Sequence, residues 1–305
     1  MTTQLLIGSR GSKLALAQAD EIVKALKELA PQINHRIITI KTTGDKLSES
    51  KDSTFEGKEV FTKEIEESLL KQEIQIAIHS MKDLPTELPA GLTIAAVPHR
   101  ADHRDVLISR SKTTLDKLPG GATIGTSSPR RKTQLLATRS DLQVHDIRGN
   151  VDTRLRKLEG GDYDAIVLAS AGLKRLGLEN RVTEFLSTKV MLPAIGQGAI
   201  AVEARKDDAE TLELVSRLED KATRRAVEAE RGFARKLGAN CRTPIAAYAK
   251  VEGEKISIDG MVSSAEGRML LRSQITSTNP EAERVGEELA ESLLAKGAQL
   301  ILEAA

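Results

Sequence analysis

Tryptophan is absent from this 305-residue chain, and two tyrosines with four phenylalanines are all its large aromatic surface. Stacking platforms for single-stranded bases cannot be assembled from so few rings. An excess of charge is missing too: 45 Lys and Arg against 44 Asp and Glu leave a formal +1. No general attraction for phosphate backbones follows, so nucleic acid is excluded and any basic surface must be local. The single cysteine, Cys241, rules out an internal disulfide and the multi-thiol patterns of zinc and iron–sulfur sites. Five histidines show no paired metal spacing beyond His99 and His103, which fall in a connecting loop and read as a surface pair. No metal is expected. No run approaches the ~20 apolar residues of a membrane span. The apolar run Leu5–Ile7 is far shorter than the roughly 7–15 residues of a signal-peptide core. A reducing, cytoplasmic compartment is the expectation.

What is present is a globular balance, 40% hydrophobic and 29% charged, enough apolar surface to offset chain entropy. The length exceeds one ordinary core, since domains run to about 100–200 residues. Gln4–Gly8 reads as a strand, and Ser12 can cap a helix carrying Leu14, Ile22, Leu26 and Leu29. Asn34–Thr42 alternates as a second strand, then Val60–Lys71 reads as a helix and Glu73–His79 as a strand. The polar stretch Gly44–Glu59 exceeds a normal connection and reads either as a lid over a site or as disorder. Thr123–Ser170 repeats this grammar. Ile7-Gly8-Ser9 before a helix matches Ile124-Gly125-Thr126 before a helix opened by Ser128 and Pro129; the strand ending at Thr43-Gly44-Asp45 matches the one ending at Gly149-Asn150; and Ile74–His79 matches Asp164–Ala169.

Strands alternating with helices favour parallel sheets, whose ligands lie beyond the carboxyl ends of the strands. Two similar α/β lobes are therefore expected, joined by the crossings Val97–Asp102 and Leu192–Gly198, with Ala199–Ala204 returning as a strand of the first lobe. From Lys221 a long helix, a loop holding Cys241, three strand-like segments and a helix over Pro280–Ala295 form a small α+β domain. The expected division is 1–98 with 199–217, then 99–198, then 221–305. This is an α/β fold class whose two lobes and two crossings suit the type II periplasmic-binding-protein plan.

Polar residues at the expected strand ends and helix starts are Arg10, Ser12, Lys82, Asp83, Thr126, Ser127, Ser128, Arg130, Arg131, Arg148, Arg154 and Arg175. Cations dominate. Guanidinium groups fork onto carboxylates, and helix amino termini add free N–H donors and a positive field. A polycarboxylate ligand suits such a set, while any single arginine suits a surface ion pair equally well. Familiar phosphate motifs fail: Gly8-Ser-Arg-Gly11-Ser12-Lys13 lacks the Walker spacer, and Gly196-Gln-Gly198 lacks a third glycine. Asp83 follows a strand and precedes Leu84-Pro85, a place for an active-site carboxylate or for a turn residue. Cys241 suits a reactive thiol or an inert one.

Eight segments resemble those of the porphobilinogen deaminase family in the same order. They are Ile7–Gln18, Lys41-Thr-Thr-Gly-Asp45, Phe61-Thr-Lys-Glu64, Ala77-Ile-His-Ser-Met-Lys-Asp-Leu-Pro85, Ile124-Gly-Thr-Ser-Ser-Pro-Arg-Arg131, Ile147-Arg-Gly-Asn-Val-Asp-Thr-Arg154, Leu168–Arg175 and Leu192–Gly198. The family's Gly-Gly-Cys-Gln-Val-Pro loop stands here as Ala239-Asn-Cys241-Arg-Thr-Pro244, keeping the Cys and the Pro. The resemblance implies a dipyrromethane cofactor held by a thioether to Cys241. It implies stepwise deamination and head-to-tail joining of four porphobilinogen molecules on that primer, then hydrolytic release of hydroxymethylbilane. Asp83 is implied as the catalytic carboxylate that also meets the cofactor. Lys82, Thr126, Ser127, Ser128, Arg130 and Arg131 are implied as cofactor ligands, and Arg10, Ser12, Arg148, Arg154 and Arg175 as substrate ligands. A monomer, and hand-over of product to uroporphyrinogen-III synthase, are the family's expectations. The competing expectation from the lobed pattern is a solute-binding protein that grips a small carboxylate without covalent chemistry.

Overall fold

The structure is a computed structural model and describes residues 4–45, 61–238 and 243–303. Two compact units emerge, one of residues 1–101 with 199–224, the other of 102–198 with 225–305.

In the first unit, strands β1 (Gln4–Ser9), β2 (Asn34–Thr39), β3 (Ile76–Ser80), β4 (Leu92–Ala96) and β10 (Ile200–Arg205) form one sheet in the order β2-β1-β3-β10-β4. β1 runs parallel to β2 and β3, whereas β10 is antiparallel to both its neighbours. The returning strand thus inserts into the middle of a sheet begun nearly 200 residues earlier. Helix α1 (Lys13–Leu29) is opened by Ser12, whose Oγ accepts from the Ala15 N–H at 3.2 Å. Its Ala19, Ile22 and Leu26, spaced three and four apart, bury against Leu5, Ile7, Ile76, Ile78 and Val202. Helix α2 (Lys63–Leu70) contributes Ile65 and Leu69 to a second core with Ile74, Ala77 and Leu92. Alternation along β3 sends Ile76 and Ile78 to one core and Ala77 to the other, so both faces of the sheet are covered. Helix α6 (Ala209–Ser216) completes the unit.

The second unit repeats the plan. Strands β5 (Asp105–Ser109), β6 (Thr123–Gly125), β7 (Gln143–His145), β8 (Ala165–Ala169) and β9 (Glu184–Phe185) form a sheet in the order β7-β6-β8-β5-β9. A parallel trio again meets an antiparallel fourth strand, here β5. Helices α3 (Pro129–Thr138), α4 (Val151–Glu159) and α5 (Ser170–Arg175) follow β6, β7 and β8. Ser128 Oγ accepts from the Arg131 N–H at 3.4 Å with Pro129 in the first turn, and Asn150 Oδ1 accepts from the Thr153 N–H at 3.0 Å.

Helix α7 (Lys221–Lys236) leads to the antiparallel sheet β11 (Ile245–Glu252), β12 (Lys255–Ser263) and β13 (Leu270–Ser277), followed by α8 (Ala282–Ala295) and α9 (Ala298–Glu303). Phe233 and Leu289 seat on Gly260, where an added Cβ would lie 2.9 Å and 2.8 Å from them. This terminal sheet packs on the second lobe: Leu192 joins Ala246 and Met261 in one buried cluster, and the Arg272 guanidinium donates to the Thr188 and Lys189 carbonyls. The buried Glu230 accepts from the Gly196 N–H at 2.6 Å and from the Ala249 N–H at 2.9 Å, tying the return crossing to β11. The terminal segment and the second lobe fall in one compact unit. No helix among the described residues is long and apolar enough to cross a membrane.

Candidate functional site

The first unit delivers its candidate residues at the carboxyl ends of two adjacent strands. Arg10 and Ser12 follow β1, and Lys82 and Asp83 occupy the 3-10 turn Met81–Asp83 directly after β3. That turn is fixed from beneath. Met81 is buried, its N–H donates to the Ala199 carbonyl at 3.0 Å, and Ser80 exchanges hydrogen bonds with the Gln18 amide at 2.9 and 3.1 Å. Asp83 itself is half-buried, and no side chain among the described residues hydrogen-bonds or ion-pairs its carboxylate. The Arg10 guanidinium forks onto Asp45 Oδ1, with Nη2 at 2.6 Å and Nε at 3.2 Å.

The strand that leads to Asp83 carries one member of a pair that sequence reading missed. His79 on β3 and Glu203 on β10 are both buried, with Nε2 and Oε2 3.0 Å apart. The register opposes Ala77 to Glu203, so the two side chains are diagonal neighbours on one face.

In the second unit Thr126, Ser127 and Ser128 follow β6, Arg130 and Arg131 occupy the first turn of α3, Arg148 follows β7, Arg154 lies on α4, and Arg175 ends α5. All of them lie in the loops and helices that follow β6, β7 and β8. Ser127 Oγ donates to the Ile147 carbonyl and accepts the Ile147 N–H, both at 3.0 Å, which locks the two loops together. The Thr126 N–H donates to the His145 carbonyl at 2.9 Å. Gly149 has φ +112 and no room for a Cβ, which would meet Thr153 at 2.6 Å. Through this tight turn Arg154 Nε donates to the Gly149 carbonyl at 2.8 Å. Arg175 Nη2 donates to the Gly198 carbonyl at 3.3 Å.

Arg130 and Arg131, expected as cofactor ligands, each also meet a carboxylate of their own chain. Both are buried and both pair with Asp105, which is fully buried. Arg130 Nη1 lies 2.7 Å from Asp105 Oδ2 and also donates to the Leu192 carbonyl at 2.8 Å. Arg131 reaches Asp105 Oδ1 through Nε at 3.0 Å and Nη2 at 2.7 Å, and donates through Nη1 to the Val167 carbonyl at 2.9 Å. Burial alone would raise the Asp105 carboxyl, but the two guanidiniums outweigh it and hold the group far below the usual carboxylate range. The sequence signal was an acid opening the apolar run Asp105-Val-Leu-Ile: a buried carboxylate there demands cationic partners. The trio still carries a surplus positive charge. Burial, then the like charge of Arg131, pull the Arg154 guanidinium down to about 10, and no carboxylate ion-pairs it among the described residues.

His99 is exposed and lies 3.4 Å from Asp220, whereas His103 stacks on Tyr248 with centroids 3.8 Å apart, so the two histidines do not pair. No group of His, Cys, Asp or Glu among the described residues is arranged to hold a metal. Cys241 and residues 46–60, which include most of the expected lid, lie outside the described residues.

Two α/β lobes of like plan, one carrying cations after its strands and the other a carboxylate with no partner side chain among the described residues, define the class of two-lobed α/β proteins. Residues 5–213 match the family model for the porphobilinogen deaminase dipyromethane cofactor binding domain, and residues 224–295 match that for the porphobilinogen deaminase C-terminal domain. The porphobilinogen deaminase of Brevibacillus brevis is 48% identical over 97% of this chain and 96% of its own length. That of Syntrophomonas wolfei is 49% identical over 98% and 97%. The chain belongs to the porphobilinogen deaminase family. Among solved structures, the periplasmic aliphatic sulphonate binding protein of Escherichia coli is similar over 77% of this chain and 70% of its own, with TM-score 0.41 and 15% identity.

Proposed function

We propose that the chain performs the reaction of its family, hydroxymethylbilane synthesis from porphobilinogen, with Asp83 as the charge-stabilising carboxylate and the strand-end cations as the grip on substrate and cofactor. The observation that carries this reading is the Asp83 turn, a carboxylate with no partner side chain among the described residues, on a mount fixed by the Met81 and Ser80 hydrogen bonds. Porphobilinogen that loses ammonia becomes a ring-stabilised cation. A preorganised carboxylate steadies that charge in a partly desolvated site and exchanges a proton at the pyrrole nitrogen.

A dipyrromethane carries a pair of carboxylates on each ring, and the second unit fits such a group. No carboxylate among the described residues ion-pairs Arg154, and the Asp105 trio leaves positive charge in excess beside the amino terminus of α3. Thr126, Ser127, Ser128, Arg130, Arg131 and Lys82, with Asp83, would hold it, tethered by a thioether at Cys241. When bound, it supplies a free pyrrole α-carbon as the acceptor for incoming rings. Arg130 and Arg131 contribute mainly through the field of their buried trio, while Arg10, Ser12, Arg148, Arg154 and Arg175 hold the carboxylates of the reacting ring. The reading extends to a monomeric cytoplasmic enzyme that passes its product to uroporphyrinogen-III synthase, as its lone thiol, suited to a reducing compartment, supports.

Intact-mass measurement of the purified protein tests the tether: the expected mass exceeds that of the sequence by a dipyrromethane, and Cys241→Ser abolishes the increment. Asp83→Asn should lower kcat by about 10²–10⁴-fold while thermal stability holds. Rapid tetrapyrrole synthesis by that variant would refute the role of Asp83.

A further inference from the structure

Arg10 is already held by a carboxylate of its own chain. The Nε and Nη2 edge of its guanidinium meets Asp45 Oδ1, and the Phe61 ring covers its face with 4.3 Å from the guanidinium carbon to the ring centroid. Asp45 is fixed for this task. Its Oδ2 accepts from Thr42 Oγ1 at 2.8 Å and from the Thr42 N–H at 3.2 Å, and Thr42 is buried. Gly44 completes the cradle: a Cβ there would stand 2.2 Å from the Phe61 ring, so only glycine lets that ring lie against the chain. Burial alone would raise the Asp45 carboxyl, yet the Arg10 and Thr42 contacts lower it, and it carries its charge at neutral pH.

A carboxylate bound at Arg10 therefore meets one positive and one negative charge. On the Nε–Nη2 edge it must displace Asp45. On the opposite edge it feels an attraction that Asp45 largely cancels. We propose that Asp45 is an affinity-setting residue, whose carboxylate competes with the porphobilinogen carboxylate for Arg10 and keeps that grip exchangeable. This rests on the reading of Arg10 as a substrate ligand. An exchangeable grip suits a reaction in which each ring must yield its place to the next, because binding that holds ground state and transition state equally lowers KM without raising kcat.

Steady-state kinetics of the holoenzyme with porphobilinogen test this in wild type, Asp45→Asn, Thr42→Val, Arg10→Leu and the Arg10→Leu/Asp45→Asn double variant. Asp45→Asn should lower KM about three- to tenfold, the worth of one partly exposed charged hydrogen-bonded pair, with kcat changed by less than about twofold. Thr42→Val, which removes the hydroxyl bond to Asp45 Oδ2 but keeps the backbone N–H bond and the charge, should lower KM less and gives the same readout should the asparagine variant fold poorly. In the Arg10→Leu background KM is raised and Asp45→Asn no longer lowers it. If Arg10→Leu raises KM but Asp45→Asn leaves it unchanged or higher, the competition is overturned. A fall in KM that persists without Arg10 overturns it too. If Arg10→Leu leaves KM unchanged, the assignment of Arg10 falls first and the proposal with it.

Discussion

Replacing Asp105 by asparagine takes one negative charge from a buried site that holds two guanidiniums. The trio sums to +1 with the aspartate (two Arg, one Asp) and to +2 without it. Asparagine keeps the shape, and its carbonyl can still accept from one arginine, but its amide nitrogen then faces the donors of the other. Breaking a buried pair in this way costs about 3–5 kcal/mol, because the remaining charge is stranded out of water. That is a large fraction of the ~5–15 kcal/mol that holds a domain folded. With no tryptophan in the chain, far-UV circular dichroism in urea is the natural assay, read as a lower midpoint for the second unit.

A cycle with Arg131→Met sharpens the test. Asp105→Asn should cost less in the Arg131→Met background than in wild type, by about 1–3 kcal/mol, since contacting charges are not additive. The pH dependence follows from the direction of the shift. Asp105 has a folded pKa depressed below its unfolded value of ~3.9, so its contribution is complete above about pH 5 and is lost as pH falls toward the folded value. Wild type and Asp105→Asn should differ by a constant amount from pH 8 to 5 and converge below about pH 4. A loss under about 1 kcal/mol at neutral pH, or strict additivity with Arg131→Met, would show that the trio does not support this unit as described.

Gly286→Ala should destabilise the terminal helices by about 2–3 kcal/mol: its Cβ would lie 1.8 Å from the Ala229 carbonyl oxygen and 2.7 Å from the Phe233 nitrogen, both backbone atoms. An unchanged urea midpoint would mean that α7 and α8 do not cross there. Arg154→Met should raise the apoprotein's stability by up to about 1 kcal/mol, because it removes a desolvated cation beside Arg131. It should raise KM for porphobilinogen at the same time, and a stabilised variant with unaltered KM would remove Arg154 from the substrate site. Ser128→Ala deletes the cap of α3 and should cost about 1 kcal/mol by thermal denaturation.

Much of the lobed architecture was legible because its signals are local. The caps Ser12 and Ser128, the apolar spacing of Ile22 and Leu26, and the parallel between Ile7-Gly8-Ser9 and Ile124-Gly125-Thr126 mark where strands end and helices begin, and those points carry the polar residues. Short elements were less legible. β4 and β9 were not among the expected strands, and β9 spans only Glu184–Phe185. Their identity comes from the neighbours that take their hydrogen bonds.

The amino-acid sequence by itself determined the two repeated lobes, the place of Asp83 after a buried strand and the clustering of arginines at strand ends, because period, capping and turn chemistry act over a few residues. Tertiary structure alone decided which of those arginines are already engaged. Arg10 on Asp45, and Arg130 and Arg131 on Asp105, are pairings across 35, 25 and 26 positions of chain. A charge cannot declare its partner until folding brings the two together and takes away the water between them.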